Sequence, residues 1–404
     1  MKVNKGQYFL DTVTLAFGAF GGPQAHIALL FDLYVQKRKY IDEKELIELN
    51  ALCSFLPGPT STQTITAIGY KIGGIRMALL TLIIWILPAA FGMILCGIFI
   101  NHLKTQEVSL EFTLISKSIT IGLIAYAAFI IYKKVVHSLF QKTLCFFTSF
   151  ITIAILLLLA AYRMTAFIFP LLLIIGGISS VLFSKEKKLP SDTKKIKIKW
   201  TYLLLTGSIF VFSILASSLT TSHFLNLFER FYRNGCFVYG GGQVLIPLLQ
   251  IEFVEQTHLM TNEDFLSGVS FASSMPGPLF SISGYLGSVA SHELSFVEQI
   301  IGGFVGLTGI FLPGTLLIFF IFPVWNQLKE LSFIRLSLGG VNAVASGFII
   351  AVCLILFLSL NLSTTAHFSG NLLIVVGTFL VCLSRKVSIP LLMIGSIILG
   401  LFLF

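Results

Sequence analysis

Charge is what this sequence has least of. Only 11% of its 404 residues are Asp, Glu, Lys or Arg, against 56% hydrophobic, where soluble domains average roughly a quarter charged. A water-facing surface cannot be covered on that allowance. Chemistry is scarce as well. The six cysteines stand singly (Cys53, Cys96, Cys145, Cys236, Cys353, Cys382) with no CxxC pair, so neither a metal site nor structural disulfides are indicated. The chain has no HExxH, no GxSxG and no His/Asp/Glu grouping within its apolar runs, and catalysis would need such a cluster. No cofactor is expected, and the chain is not read as an enzyme. The net charge of +9 is attributed to topology and contact with anionic lipid rather than to nucleic acid.

What the chain has in abundance is apolar length. Leu79–Ile100, Ile119–Tyr132, Cys145–Tyr162 and Val341–Leu360 approach or exceed the ~18 residues that read as a spanning segment. The expectation is an all-α polytopic membrane protein. Met-Lys-Val-Asn-Lys leads straight into a membrane segment without a small-residue cleavage site, so a removable signal peptide is not expected.

The sequence also matches itself. At one constant shift Gly21, Gly22 and Gln24 fall on Gly240, Gly241 and Gln243, and Pro57-Gly58-Pro59 falls on Pro276-Gly277-Pro278. Later, "IGYKIGG" (Ile68–Gly74) echoes "SGYLGS" (Ser283–Ser288), and Phe169–Gly177 echoes Ile389–Ser396. The organisation expected is a first repeat half, residues 1–183; a basic cytoplasmic linker, 184–199; a connecting transmembrane helix, 200–219; and a second half, 220–404, inverted by that extra crossing.

Charge placement sets the topology. Lys2 and Lys5 precede residues 7–36, and Lys37-Arg38-Lys39 follow them. That segment therefore reads as a re-entrant hairpin bent at Gly21-Gly22-Pro23, with both feet on the positive, inner side. Residues 46–70, bent at Pro57-Gly58-Pro59, read as a second. With two counterparts in the second half, the fold comprises about nine full spans and four helical hairpins. A kinked crossing in place of each hairpin is the competing topology. The second-half equivalent of the basic 36–45 loop is the acidic Glu255–Phe265, as expected for inverted repeats. The N-terminus is expected inside and the C-terminus outside. Lys104, Lys117, Arg163, Arg230 and Arg233 are the basic residues that this scheme leaves on the wrong side.

Each break creates a helix start inside the membrane. Proline suits a first helical position, and glycine permits the turn. The new N-terminus presents unpaired amides and a positive dipole end, and such an end binds anions. The candidate substrate-binding residues are accordingly Gly21, Gly22, Pro23, Gln24 and His26; Pro57, Gly58, Pro59, Thr60, Ser61, Thr62 and Gln63; Gly240, Gly241, Gly242 and Gln243; and Pro276, Gly277, Pro278 and Ser281. Asn342 joins them as a polar residue inside a span. Each has a bland alternative: glycines as close-packing residues, Gln24 and Gln243 as interhelical donors, and His26 as structural, since Leu245 occupies its second-half position. No span holds a lysine or arginine near its centre, so these ends would bind a tetrahedral oxyanion without a fixed cation.

At "FGAFGGPQAHI", "LPGPTSTQ" with "IGYKIGG", and "YGGGQVLIPLL" with "MPGP", the chain resembles the chromate ion transporter family in its long, fused two-half form. The resemblance implies transport of chromate, or of its analogue sulfate, across the cytoplasmic membrane, with efflux as the associated direction. It carries the roles above onto Gly21–Gln24, His26, Pro57–Gln63, Gly240–Gln243 and Pro276–Pro278. Family members usually carry a tryptophan in the loop before each PGP helix, where this chain has Tyr40-Ile41 and Leu259-Met260. The second PGP leads into Leu279-Phe280 rather than a polar pair. The reading is a secondary antiporter-type carrier working by alternating access, with the oxyanion and the lipid bilayer as partners and a homodimer as an admissible assembly. A passive anion channel and a membrane-embedded enzyme are the alternatives.

Overall fold

The computed structural model describes residues 3–403 apart from 21, 55, 107–113, 160–164, 184–199, 239–241, 326–331, 363–367, 385–386 and 388. Among the described residues every regular element is helical. Four helical stretches there are long and apolar enough to cross a bilayer alone: Thr60–Thr105, Thr201–Leu219, Phe296–Val324 and Gly339–Leu358.

The chain opens with α1 (Lys5–Gly18) and α2 (Gly22–Leu30), which continues as a π-helical turn, Phe31–Lys37. Then come α3 (Glu43–Ser54) and α4 (Thr60–Thr105), the latter broken at Gly73-Gly74, where Gly74 takes φ +71°. Next are α5 (Leu114–Val135), α6 (Leu139–Leu159), α7 (Thr165–Leu182) and the connecting α8 (Thr201–Leu219). The order then recurs. α9 (His223–Phe237) and α10 (Gly242–Gln250) are followed by a second π-helical turn, Ile251–Gln256, and by α11 (Asn262–Ser274). A 3-10 turn, Leu279–Ser281, enters α12 (Ile282–Val289), and α13 (Phe296–Ile321), α14 (Ser332–Leu362), α15 (Phe368–Ser384) and α16 (Ile389–Leu403) complete the chain. Fine detail recurs with the order. Tyr40 N–H reaches Tyr34 O at 2.8 Å, and Leu259 N–H reaches Phe253 O at 3.0 Å. Beside each bond lies a non-glycine residue at positive φ, Lys39 and His258.

The breaks are real, and the first two reverse the chain. The middle of α1 lies against the far end of the next arm: Thr12 Oγ1 and Tyr34 OH are 2.6 Å apart, Arg38 holds Asp11 at 2.8 Å, and Tyr40 OH donates to Asp11 at 2.6 Å. A kinked crossing would separate these residues by two arm lengths. At the second break Glu45 of α3 forms an ion pair with Lys71 of α4, so those feet meet too. Both are hairpins in geometry.

The chain forms two compact units. The first comprises Met1–His102, Lys195–Gly242 and Met275–Gln327; the second comprises Leu103–Lys194, Gln243–Ser274 and Leu328–Phe404. Within the first, α13 packs along α9 and α12 through a face of small residues. A Cβ on Gly306 would lie 2.4 Å from Ser283 O, and one on Gly309 would lie 2.7 Å from Phe231 Cβ. Backbones that approach this closely gain dispersion contact, the usual cohesion between helices in lipid. Within the second, α14 packs against α5, α6 and α7, and α15 against α5. Here the buried Lys117 faces Glu263 at 3.6 Å, and Lys104 pairs with the buried Asp264 at 2.6 Å. Arg233, in the first unit, is held by Glu229 at 2.6 Å. Three of the basic residues that strain the charge rule are therefore held by carboxylates.

Candidate functional site

The two PGP turns are built into each other's halves. Gly58 N–H donates to Val238 O, the residue after α9, at 2.8 Å, and Gly277 N–H donates to Ala19 O, the residue after α1, also at 2.8 Å. Ala19 and Val238 occupy equivalent places before the two glycine breaks, as Gly58 and Gly277 do in the PGP turns. Glycine is required at both turns. Their φ values are +122° and +127°, a region costly for any side chain. A Cβ on Gly58 would meet Gln63 Nε2 at 2.8 Å and Gly314 Cα at 3.4 Å, while one on Gly277 would meet Ala89 Cβ at 2.6 Å. These neighbours also correspond: Ala89 follows Pro88 within α4, and Gly314 follows Pro313 within α13. Each turn therefore leans on a proline-bearing helix of the other half.

These contacts revise one expectation. The amides of Gly58 and Gly277 are not bare, because protein carbonyls already take them. The free donors lie just beyond. Gln63 N–H makes the first α4 ladder bond, to Pro59 O at 2.8 Å, which makes Pro59 the N-cap rather than the first helical residue. The amides of Thr60, Ser61 and Thr62 stand ahead of that ladder. In the second half Ser281 N–H is taken by Pro278 O at 2.9 Å, and the tighter 3-10 turn leaves fewer amides free.

Around the α4 tip the side chains form a fixed set. His26 of α2 is buried, with Nε2 3.0 Å from Ala19 O and Nδ1 2.9 Å from Ser61 Oγ. A carbonyl only accepts, so neutral His26 carries its proton on Nε2, and Ser61 donates to Nδ1. The Trp85 ring meets the imidazole edge-on at 5.2 Å, and its Nε1–H donates to Thr62 Oγ1 at 3.2 Å. Thr62 keeps its own hydroxyl proton. Gln63 Nε2 donates to Pro57 O at 2.8 Å and to Gly314 O at 3.3 Å. Two oxygens close to the breaks, Gln63 Oε1 and Ser281 Oγ, are buried without a protein partner. Beside Gln63 a crevice is lined by Pro59, Thr62, Gln63, Thr66, Leu82, Phe311, Thr315 and Ile318, closed too tightly to hold a water molecule.

The other expected residues fall as follows. Gly22, at φ +80°, opens α2, with Pro23 directly behind it. Gly242 opens α10, and a Cβ there would meet Leu279 Cβ at 2.9 Å, so this second start also adjoins the turn after a PGP. Pro57 and Pro278 are buried, and Pro276 is half-buried. Gly21, Gly240, Gly241 and the side chains of Gln24 and Gln243 lie outside the described residues. Asn342 sits on α14 in the second unit and is not among the groups gathered in the first. Sequence reasoning missed Trp85, Thr66, Thr315 and the prolines at 88 and 313. A signal existed for the prolines, since Leu87-Pro88-Ala89 and Leu312-Pro313-Gly314 echo one another. None existed for the threonines.

Comparison with known proteins agrees with the motif positions. A family model described as chromate transporter matches residues 6–181 and again 225–401. An uncharacterized transporter of Methanocaldococcus jannaschii is 25% identical over 400 residues, covering 97% of this chain and 92% of its own. A chromate transport protein of Cupriavidus metallidurans is 24% identical over 395 residues, covering 98% and 91%. A probable chromate transport protein of Synechococcus elongatus is 25% identical over 353 residues, covering 87% and 83%. No solved structure matches.

Proposed function

The chain belongs to the chromate transporter family, and from that premise we propose that it is a secondary carrier of chromate, and of sulfate as its tetrahedral analogue, in the cytoplasmic membrane. Residues 1–183 and 220–404 act as inverted repeats joined by 184–199 and the helix 200–219. The shorter helices complete about nine crossings, and the hairpins enter the bilayer only part-way. The N-terminus lies inside and the C-terminus outside. On this topology Lys104 shares the outer side with the loop that carries Asp264, and their ion pair joins them there.

The observation that carries the reading is the reciprocal pair of bonds, Gly58 to Val238 and Gly277 to Ala19. Four interrupted chain segments are tied into one knot, with helix starts close to it. Broken helices meeting where repeats cross form the usual substrate site of secondary transporters. An oxyanion would be held by the amides of Thr60, Ser61 and Thr62 and by the hydroxyl of Thr62, all at the α4 tip. No lysine or arginine is needed, and the modest affinity that results suits an ion that must leave again.

The decisive experiment is flux of radiolabelled chromate and sulfate into vesicles containing the purified protein, under an imposed potential or pH gradient. Accumulation against a gradient is expected. Flux without accumulation would turn the reading to a channel, and no flux under any gradient would overturn it. For topology, single cysteines replacing Arg38 and Gln256 should be protected from, and open to, an impermeant thiol reagent in intact cells, respectively.

A further inference from the structure

The amide of Gln63 is oriented without ambiguity. Its Nε2 lies against two carbonyls, Pro57 O and Gly314 O, and only an NH2 can satisfy both. The remaining atom is therefore the carbonyl oxygen, buried and without a partner in a residue only 3% exposed. Leaving such an acceptor without a donor in a buried place is costly. An oxyanion does not relieve that cost, because two oxygens repel. The atom requires a donor or a cation.

The neighbours in the crevice share this polarity. Thr66 Oγ1 donates its proton to Thr62 O at 2.7 Å, and Thr315 Oγ1 donates to Phe311 O at 2.8 Å. Each hydroxyl oxygen is left with lone pairs only. Thr62 Oγ1, held by Trp85, adds a fourth oxygen. All four residues line the same crevice, between the first turns of α4 and the helix bearing Pro313. Among the described residues no group of His, Cys, Asp and Glu could hold a metal ion, so transition-metal chemistry has no counterpart set here. Neutral carbonyl and hydroxyl oxygens instead suit a hard cation. The crevice is too tight for a water molecule, and a bare sodium ion is smaller than one, whereas potassium is not.

We propose that this crevice is a sodium site, with Gln63 Oε1, Thr66 Oγ1, Thr315 Oγ1 and Thr62 Oγ1 as its side-chain ligands. This deepens the transporter reading, since it names the coupling ion for the oxyanion at the same helix tip. The positive end of α4 opposes a lone cation, and a bound anion removes that opposition. Each ion therefore raises the affinity for the other, by the same factor in both directions.

The test uses the purified full-length protein in detergent, with its thermal transition followed in NaCl, KCl and choline chloride at equal ionic strength, without oxyanion. A saturable upward shift in sodium alone is expected. It should move to at least about tenfold higher sodium in Thr66→Val and Thr315→Val, each melting like the parent in choline. Equal shifts in all three salts, or unchanged sodium dependence in both variants, would overturn the site. In vesicles, sulfate half-saturation should fall several-fold when sodium replaces choline; unchanged half-saturation would overturn the coupling. Sodium binding without any oxyanion flux would leave the site standing and sink the transporter reading, so the two failures are separable.

Discussion

The first PGP turn runs directly into an α-helix whose opening residues are Thr60, Ser61, Thr62 and Gln63, while the second runs through a 3-10 turn of Leu279, Phe280 and Ser281 before α12 begins at Ile282. Around the first stand His26 and Trp85; at the second Phe280 packs on Phe311, and the residue that matches His26 in sequence is Leu245. Yet the backbone plan is the same in both, down to the 2.8 Å bonds from Gly58 and Gly277. The contrast separates two tasks. Holding the interrupted helices together uses both turns, because each donates to a loose carbonyl beside the other half's glycine break, Val238 O and Ala19 O. On the proposed reading, recognising an ion needs only one polar tip, and the other is free to pack.

The comparison can be broken most forcefully at its shared element. Gly58→Ala and Gly277→Ala each force a side chain into positive φ and into a contact under 3 Å. Each should destabilise the protein by about 2–4 kcal/mol, from backbone strain and overpacking together, measured by denaturant unfolding in detergent. A neutral Gly277→Ala would show that the scaffold is not shared. The chemistry should diverge where the scaffold does not. Thr62→Val, which removes the hydroxyl that keeps its own proton, should raise chromate half-saturation about tenfold, the loss of one charge-assisted hydrogen bond of roughly 1.5 kcal/mol, whereas Ser281→Ala should change it about threefold or less, since the tip there is already apolar. Equal effects would mean that both tips share the anion. Smallest in reach is His26→Leu, which copies the second half's Leu245 into the first. It strands Ser61 Oγ, while Ala19 O keeps its bond from Gly277 N–H, and should cost about 1–2 kcal/mol in the same unfolding assay. No cost would make the histidine dispensable to the fold.

Much of the plan was visible in the residues. Gly22-Pro23 and Pro57-Gly58-Pro59 mark chain reversals by local physics alone: proline lacks an N–H, and glycine accepts φ values closed to other residues. The hairpin reading followed from Lys37-Arg38-Lys39 and Lys71, and the contacts of Asp11 with Arg38 and of Glu45 with Lys71 agree with it. The helices stop short of the bends read from the residues, α1 ending at Gly18 and α4 starting at Thr60, because helix ends depend on the capping partner as much as on the local residues. The π-helical turns at Phe31–Lys37 and Ile251–Gln256 had no legible signal. Lys104 and Lys117 looked misplaced only because their carboxylate partners, Asp264 and Glu263, lie far along the chain.

By itself the sequence determined that the chain enters a bilayer, where its helices must stop, and that the stops come twice in the same pattern, since apolar length, proline and glycine act through the backbone on which they sit. Which carbonyl receives the Gly58 proton, which atom of Gln63 is left without a partner, and that Thr66 and Thr315 share a crevice were decided only by the fold. Those facts depend on partners brought close by packing, and a hydrogen bond exists only where donor and acceptor meet within about 3 Å.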